Sequence, residues 1–99
     1  IQDDGSSSDD SQFKIYPNPS NSTFVINYSL LEKTFVSISV YDIIGRKIID
    51  LASYNKSKGF HQIAWNGRDS SNNYSAPGVY FVKIKAGNNQ INKKIVLLK

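Results

Sequence analysis

The 99-residue chain has no cysteine, no methionine, one histidine and one tryptophan. Absent cysteine excludes disulfides, thiolate metal sites and thiol chemistry together. A lone His61 leaves no zinc site to be built from histidine and cysteine. No run of 18 apolar residues occurs, so no segment reads as a membrane-spanning helix. With no methionine and a bulky Ile1 at its start, the chain reads as part of a longer protein, whose signal peptide or partner domain would lie upstream. Acidic residues are few, eight against 12 Lys and Arg, for a formal charge of +4.

That charge is unevenly spread. Residues 1–12 carry Asp3, Asp4, Asp9 and Asp10 with no cation, giving −4, and the remainder sets 12 cations against Glu32, Asp42, Asp50 and Asp69, giving +8. The opening, with Gly5, Ser6, Ser7 and Ser8 between its aspartates, has no apolar periodicity and reads as a flexible acidic linker over 1–12. From residue 13 to 99 the chain is rich enough in apolar (39%) and aromatic (12%) residues overall to fold as one domain.

The dominant signal from Phe13 onward is alternation. Phe24, Ile26 and Tyr28 alternate with less apolar neighbours; so do Val36, Ile38 and Val40, and Tyr80, Val82 and Ile84 against Lys83 and Lys85. This is the period of half-buried strands, and no stretch sustains helical spacing. Seven short strands are expected at about 13–16, 23–29, 35–42, 46–52, 60–65, 78–86 and 90–98, separated by turn-rich segments. The fold class is therefore all-β, an Ig-like antiparallel β-sandwich. Pro17 and Pro19 must end the first strand, Asp42–Gly45 forms a tight turn with Gly45 at positive φ, and Ala86–Asn89 forms another. Trp65 is the largest expected core residue.

Catalytic constellations are weak. A Ser–His–Asp triad through His61 lacks any nucleophile-elbow signature, and His61 shares a strand face with Ile63 and Trp65, which makes it a packed or rim histidine. Asp42 and Asp50 flank a turn, and Asp42 is better used in shaping it. Asp69, Ser71 and Asn73 echo the start of a calcium loop, but Tyr74 and Tyr80 stand where its glycine and bidentate glutamate belong. We therefore expect no enzyme, no cofactor and no resident metal. Lys83, Lys85, Lys93 and Lys94 suggest a basic stripe, yet they fit the solvent faces of strands, and no nucleic-acid partner is expected. Tyr54, Phe60 and Tyr74, set among Asn and Ser, keep open an alternative as a carbohydrate-binding or structural Ig-like module.

Four ordered motifs carry a resemblance. Phe13-Lys14-Ile15-Tyr16-Pro17-Asn18-Pro19, Val40-Tyr41-Asp42-Ile43-Ile44-Gly45-Arg46, Gly78-Val79-Tyr80-Phe81 and a lysine-bearing apolar end over 93–99 resemble the C-terminal sorting domain of the type IX (Por) secretion system, type A. Gly59–Gly87 also resembles the Ig-like domain of flagellar hook-capping proteins. The first resemblance implies a non-catalytic signal at the end of a secreted cargo in Bacteroidetes, folded in the periplasm in transit and then delivered to the cell surface or beyond. Its implied partners are an outer-membrane translocon, shuttle and sortase components, and a covalently attached N-terminal cargo. The implied recognition segment is Lys93, Lys94, Ile95, Val96, Leu97, Leu98 and Lys99, docking as an edge strand, and the implied cleavage region is the linker at Asp3–Asp10. Pro17, Asn18, Pro19, Gly45 and Arg46 also read as turn chemistry, and Gly78–Phe81 as core strand.

Overall fold

The computed structural model describes residues 12–98. The linker expected over 1–12, Gln12 apart, and Lys99 lie outside the described residues. Alternation along the chain becomes seven strands: β1 Phe13–Tyr16, β2 Phe24–Leu30, β3 Thr34–Asp42, β4 Lys47–Lys56, β5 Gly59–Trp65, β6 Gly78–Ala86 and β7 Asn89–Leu97. They form two antiparallel sheets, a three-stranded one in the order β1-β2-β5 and a four-stranded one in the order β4-β3-β6-β7. The described residues are all-β, and the expected sandwich is the observed one.

The inward face of each strand carries the alternate apolar residues. Phe24, Ile26, Tyr28 and Leu30 from β2 meet Val36, Ile38 and Val40 from β3 and Tyr80, Val82 and Ile84 from β6, all buried. Trp65 is 1% exposed. Its ring stacks on Phe24 at 5.8 Å and takes the edge of Tyr80 at 5.4 Å, so one indole joins the two sheets. Both polar ends of this cluster are satisfied. Trp65 Nε1 donates to Arg68 O at 2.8 Å, and Tyr80 Oη donates to Ala76 O at 2.5 Å, a tyrosine corner closing the β5–β6 loop.

Two expected boundaries need correction. β4 runs to Lys56, four residues past its expected end, because Ser53–Lys56 pair with Thr34–Ser37 although their own pattern is weak. Register shifts fall between Ile38 and Ser39 and between Val40 and Tyr41, where Leu51 and Ile48 on β4 lie outside the pairs. Two bulges of this kind break the alternation that sequence reading depends on. At the other end, Gln12 O already accepts the Ser29 amide at 3.1 Å, so pairing begins inside the segment read as linker.

Replacing Trp65 by alanine removes the largest fully buried side chain, and an unfolding cost of ~3–5 kcal/mol is expected. Urea unfolding followed by far-UV circular dichroism measures it.

Candidate functional site

The four sequence motifs meet at one end of the sandwich. Asp42 pairs with Tyr80 and Tyr80 with Ile95, so the β3–β4 turn, the start of β6 and the end of β7 lie side by side. The connection from β1 to β2 reaches the same place, since Ser20 makes a parallel bridge to Leu97.

Asn18 and Ser20 do the joining. The Asn18 side chain donates from Nδ2 to Lys94 O at 3.0 Å and accepts the Val96 amide at Oδ1, also at 3.0 Å. The Ser20 main chain then donates to Val96 O at 3.1 Å and accepts the Leu98 amide at 2.8 Å. An amide side chain thus stands in for a peptide group and continues a short parallel ladder along the outer edge of β7. Ser20 is itself buried, and its Oγ donates to Thr23 O at 2.7 Å, fixing the turn into β2. The expected open edge strand is therefore closed over Lys94–Leu98. The backbone ladder with Ser20 involves only Val96 and Leu98 and does not continue toward the start of β7 among the described residues.

The β3–β4 turn is built by Asp42. Its Oδ1 accepts the amides of Ile44 at 3.1 Å and Arg46 at 2.8 Å, and its Oδ2 takes Arg46 Nε at 2.9 Å. Gly45 adopts φ +90°, as expected, and donates to Asp42 O at 3.0 Å. Partial desolvation opposes the Asp42 charge, but the Arg46 and Ile44 hydrogen bonds outweigh it and hold the carboxyl below the usual range. Asp50 is also held low, first by the Ser39 hydroxyl at 2.5 Å and then by Lys47 Nζ at 3.1 Å. The two carboxylates serve separate partners and make no acid–base pair.

β7 sends its motif residues to both faces. Ile95 and Leu97 are buried in the core, Leu97 also bordering the cleft beside the end of β7. Lys94 and Leu98 are exposed and Val96 half-buried, while Lys93 is half-buried opposite inward-facing Val82. Tyr80 is likewise core, whereas Val79 and Phe81 face outward. One outward row runs Lys47, Tyr41, Phe81, Lys94 across four strands, with Lys83 Nζ 5.1 Å from the Tyr41 ring centre. Ile43 and Ile44, quoted in the motif but not nominated as site residues, are each 71% exposed at the turn's tip. They lie in the turn expected over Asp42–Gly45, but sequence reasoning gave that turn a purely structural role and so passed over them.

The remaining candidates disperse. His61 tilts against Tyr28 at 5.4 Å, and its Nε2 lies 2.7 Å from Ser57 O, the place of a rim histidine tied to the backbone. Asp69 Oδ1 accepts the amides of Ser71 and Asn73, so its loop presents donors to the carboxylate rather than a ring of oxygens. No group of three or more His, Asp or Glu able to hold a metal occurs among the described residues. Tyr54 and Phe60 lie toward the far end of the sandwich from Tyr74, whose ring carries the Arg68 guanidinium at 4.1 Å, so the three form no common platform for a sugar. Beside the end of β7 an apolar cleft of ≈ 490 Å³ opens between Asn21, Asn66, Tyr74, Pro77 and Leu98. Its floor needs Gly67, at φ +80°, because a Cβ there would meet Ser22 O at 3.2 Å.

A family model described as the secretion system C-terminal sorting domain matches residues 14–98. No curated protein matches the chain. Among solved structures, the chain is similar to part of PorZ, described as an essential bacterial surface component of the type-IX secretion system of Porphyromonas gingivalis, with 22% identity and a TM-score of 0.66 over 96% of this chain. It is similar also to part of the Pseudomonas fluorescens alkylpurine DNA glycosylase AlkC, bound to DNA containing an abasic site analog, with 15% identity and a TM-score of 0.50 over 88% of this chain. The chain spans 12% of the PorZ chain and 29% of the AlkC chain, and at these identities both likenesses establish the sandwich fold alone.

Because the folded pKa values of Asp42 and Asp50 lie below the unfolded ones, their stabilisation is present above the ordinary aspartate value of roughly 4 and lost as pH falls through the folded values. The urea midpoint should therefore drop on acidification from about pH 5 to about pH 2. An Asp42→Asn/Asp50→Asn variant should show a shallower drop over the same range.

Proposed function

The chain belongs to the secretion system C-terminal sorting domain family, and from that membership we propose how it works as the address of an attached cargo. Family membership makes it a type IX sorting signal, which implies export to the cell surface or the extracellular space. The family is one of signals rather than catalysts. The observation that carries the reading is the match over residues 14–98, nearly the whole described chain, with all four motifs brought to one end of the sandwich.

In our reading the cargo precedes residue 1, crosses the inner membrane by the general export route, and waits in the periplasm while residues 13–99 fold. The shuttle and the outer-membrane translocon then engage the end of the domain where β7 finishes. Exposed Lys94 and Leu98 and half-buried Val96 supply the contacts from the terminal segment, joined by Lys99, while Ile95 and Leu97 keep that segment in its sheet. After export a surface sortase cuts within Asp3–Asp10. A Ser/Asp/Gly stretch without apolar periodicity suits that step, since a protease needs backbone free of packing.

The dispersal of Tyr54, Phe60 and Tyr74 removes the observation that favoured a carbohydrate-binding module. Lys83 and Lys94, on the outward faces of β6 and β7, are compatible with an acidic surface on the machinery, where exposed charge steers encounter more than it adds affinity.

Residues 1–99 fused behind an exported reporter, in a bacterium possessing the type IX system, should carry the reporter into the medium or onto the surface. The reporter alone should remain in the periplasm. Lys94→Glu/Leu98→Ser alters only exposed side chains of the terminal segment and should reduce export without changing the unfolding midpoint. Mass spectrometry of the released reporter should place its new C-terminus within residues 1–12. Equal periplasmic retention of both fusions would overturn the sorting role.

A further inference from the structure

We propose, resting on the sorting reading above, that Ile43 and Ile44 are the apolar anchor by which a protein of the export machinery grips the folded domain. The partner's side of this contact is an apolar pocket wide enough for two branched aliphatic side chains. Both isoleucines are 71% exposed at the tip of the β3–β4 turn. Nothing in the turn requires them. Asp42 supplies its acceptors, Gly45 its positive φ and Arg46 its ion pair, so positions 43 and 44 are free to carry the polar residues that turns ordinarily hold.

The display is rigid. Four main-chain amides are engaged around the tip: Asp42 N to Arg46 O at 2.9 Å, Gly45 N to Asp42 O at 3.0 Å, and Ile44 N and Arg46 N to Asp42 Oδ1 at 3.1 and 2.8 Å. An anchor already held in place loses little further backbone freedom on binding, the usual property of a recognition hot spot. The tip also stands at the end of the sandwich where β7 finishes, because Asp42, Tyr80 and Ile95 pair in one row. A single partner surface therefore reaches both the tip and Leu98.

Charge around the tip favours a protein pocket over a lipid surface. The two adjacent cations are each ion-paired within the chain, Arg46 to Asp42 at 2.9 Å and Lys47 to Asp50 at 3.1 Å. The tip thus presents apolar surface with its own charges balanced, whereas insertion into an anionic bilayer draws on uncompensated cations around the apolar residues.

The test compares three variants in the full reporter fusion, each with its unfolding midpoint measured. Ile43→Ser/Ile44→Ser should fold with an unchanged midpoint and lose export, since giving up burial of two isoleucines weakens capture by about a hundredfold. Ile43→Leu/Ile44→Leu, which keeps the apolar bulk, should restore export. Leu31→Ser/Phe60→Ser removes residues 79% and 89% exposed at the opposite end and should export normally. Native-level export of the Ile43→Ser/Ile44→Ser fusion would overturn the proposal, as would failure of the leucine pair to rescue. Flotation with vesicles of equal parts phosphatidylcholine and phosphatidylglycerol that depends on Ile43 and Ile44 would also overturn it, in favour of a membrane anchor. Failure of the native fusion itself to export would remove the sorting reading and this proposal with it, an outcome distinct from loss in the serine variant alone.

Discussion

A strand at the edge of a sheet must do something with a row of outward N–H and C=O groups, and the family motifs of this chain are arranged around that constraint. β7 is the last strand and the edge of the four-stranded sheet. Its terminal half is closed by Asn18 and Ser20, which reach it from the connection between β1 and β2 in the opposite sheet. The Pro-Asn-Pro motif is thereby a clasp between sheets. Its asparagine matches both the donor and the acceptor of the strand, which an aspartate with two acceptor oxygens does not do.

With the edge closed, the other motifs take complementary parts. Tyr80 ties the β5–β6 loop to the core and packs its ring edge on Trp65, while its neighbours Val79 and Phe81 face out. Asp42, Gly45 and Arg46 build a turn whose product is the exposed isoleucine pair. Residues conspicuous in the sequence mostly hold the end of the sandwich in shape, and the surface they hold is made of their less conspicuous neighbours.

Most of the architecture was legible because it depends on local alternation. β2 and β6 have strict inward and outward periods, and their expected limits agree with the observed ones to within a residue. β4 was less legible, since two bulges place Ile48 and Leu51 out of step and the partner strand decides where it ends. The role of Asn18 was hidden for another reason. Its partners lie 76 and 78 residues away, and no local pattern encodes a contact of that separation. Burial of Ile95 and Leu97 beside exposed Lys94 and Leu98 follows from simple alternation, whereas the turn expected over Asp42–Gly45 did not by itself mark Ile43 and Ile44 as an exposed apolar pair.

The measurement that bears most directly on this account is amide hydrogen exchange at Val96 and Leu98, in the native protein and in Asn18→Ala. In the native protein both amides should be protected, although they belong to the outer side of an edge strand. Removing the Asn18 side chain should accelerate Val96 by about tenfold or more, the loss of one hydrogen bond, while amides of β2 and β6 keep their rates. Rapid exchange of Val96 in the native protein, or a rate unaffected by Asn18→Ala, would contradict the clasp and the arrangement of motifs built on it.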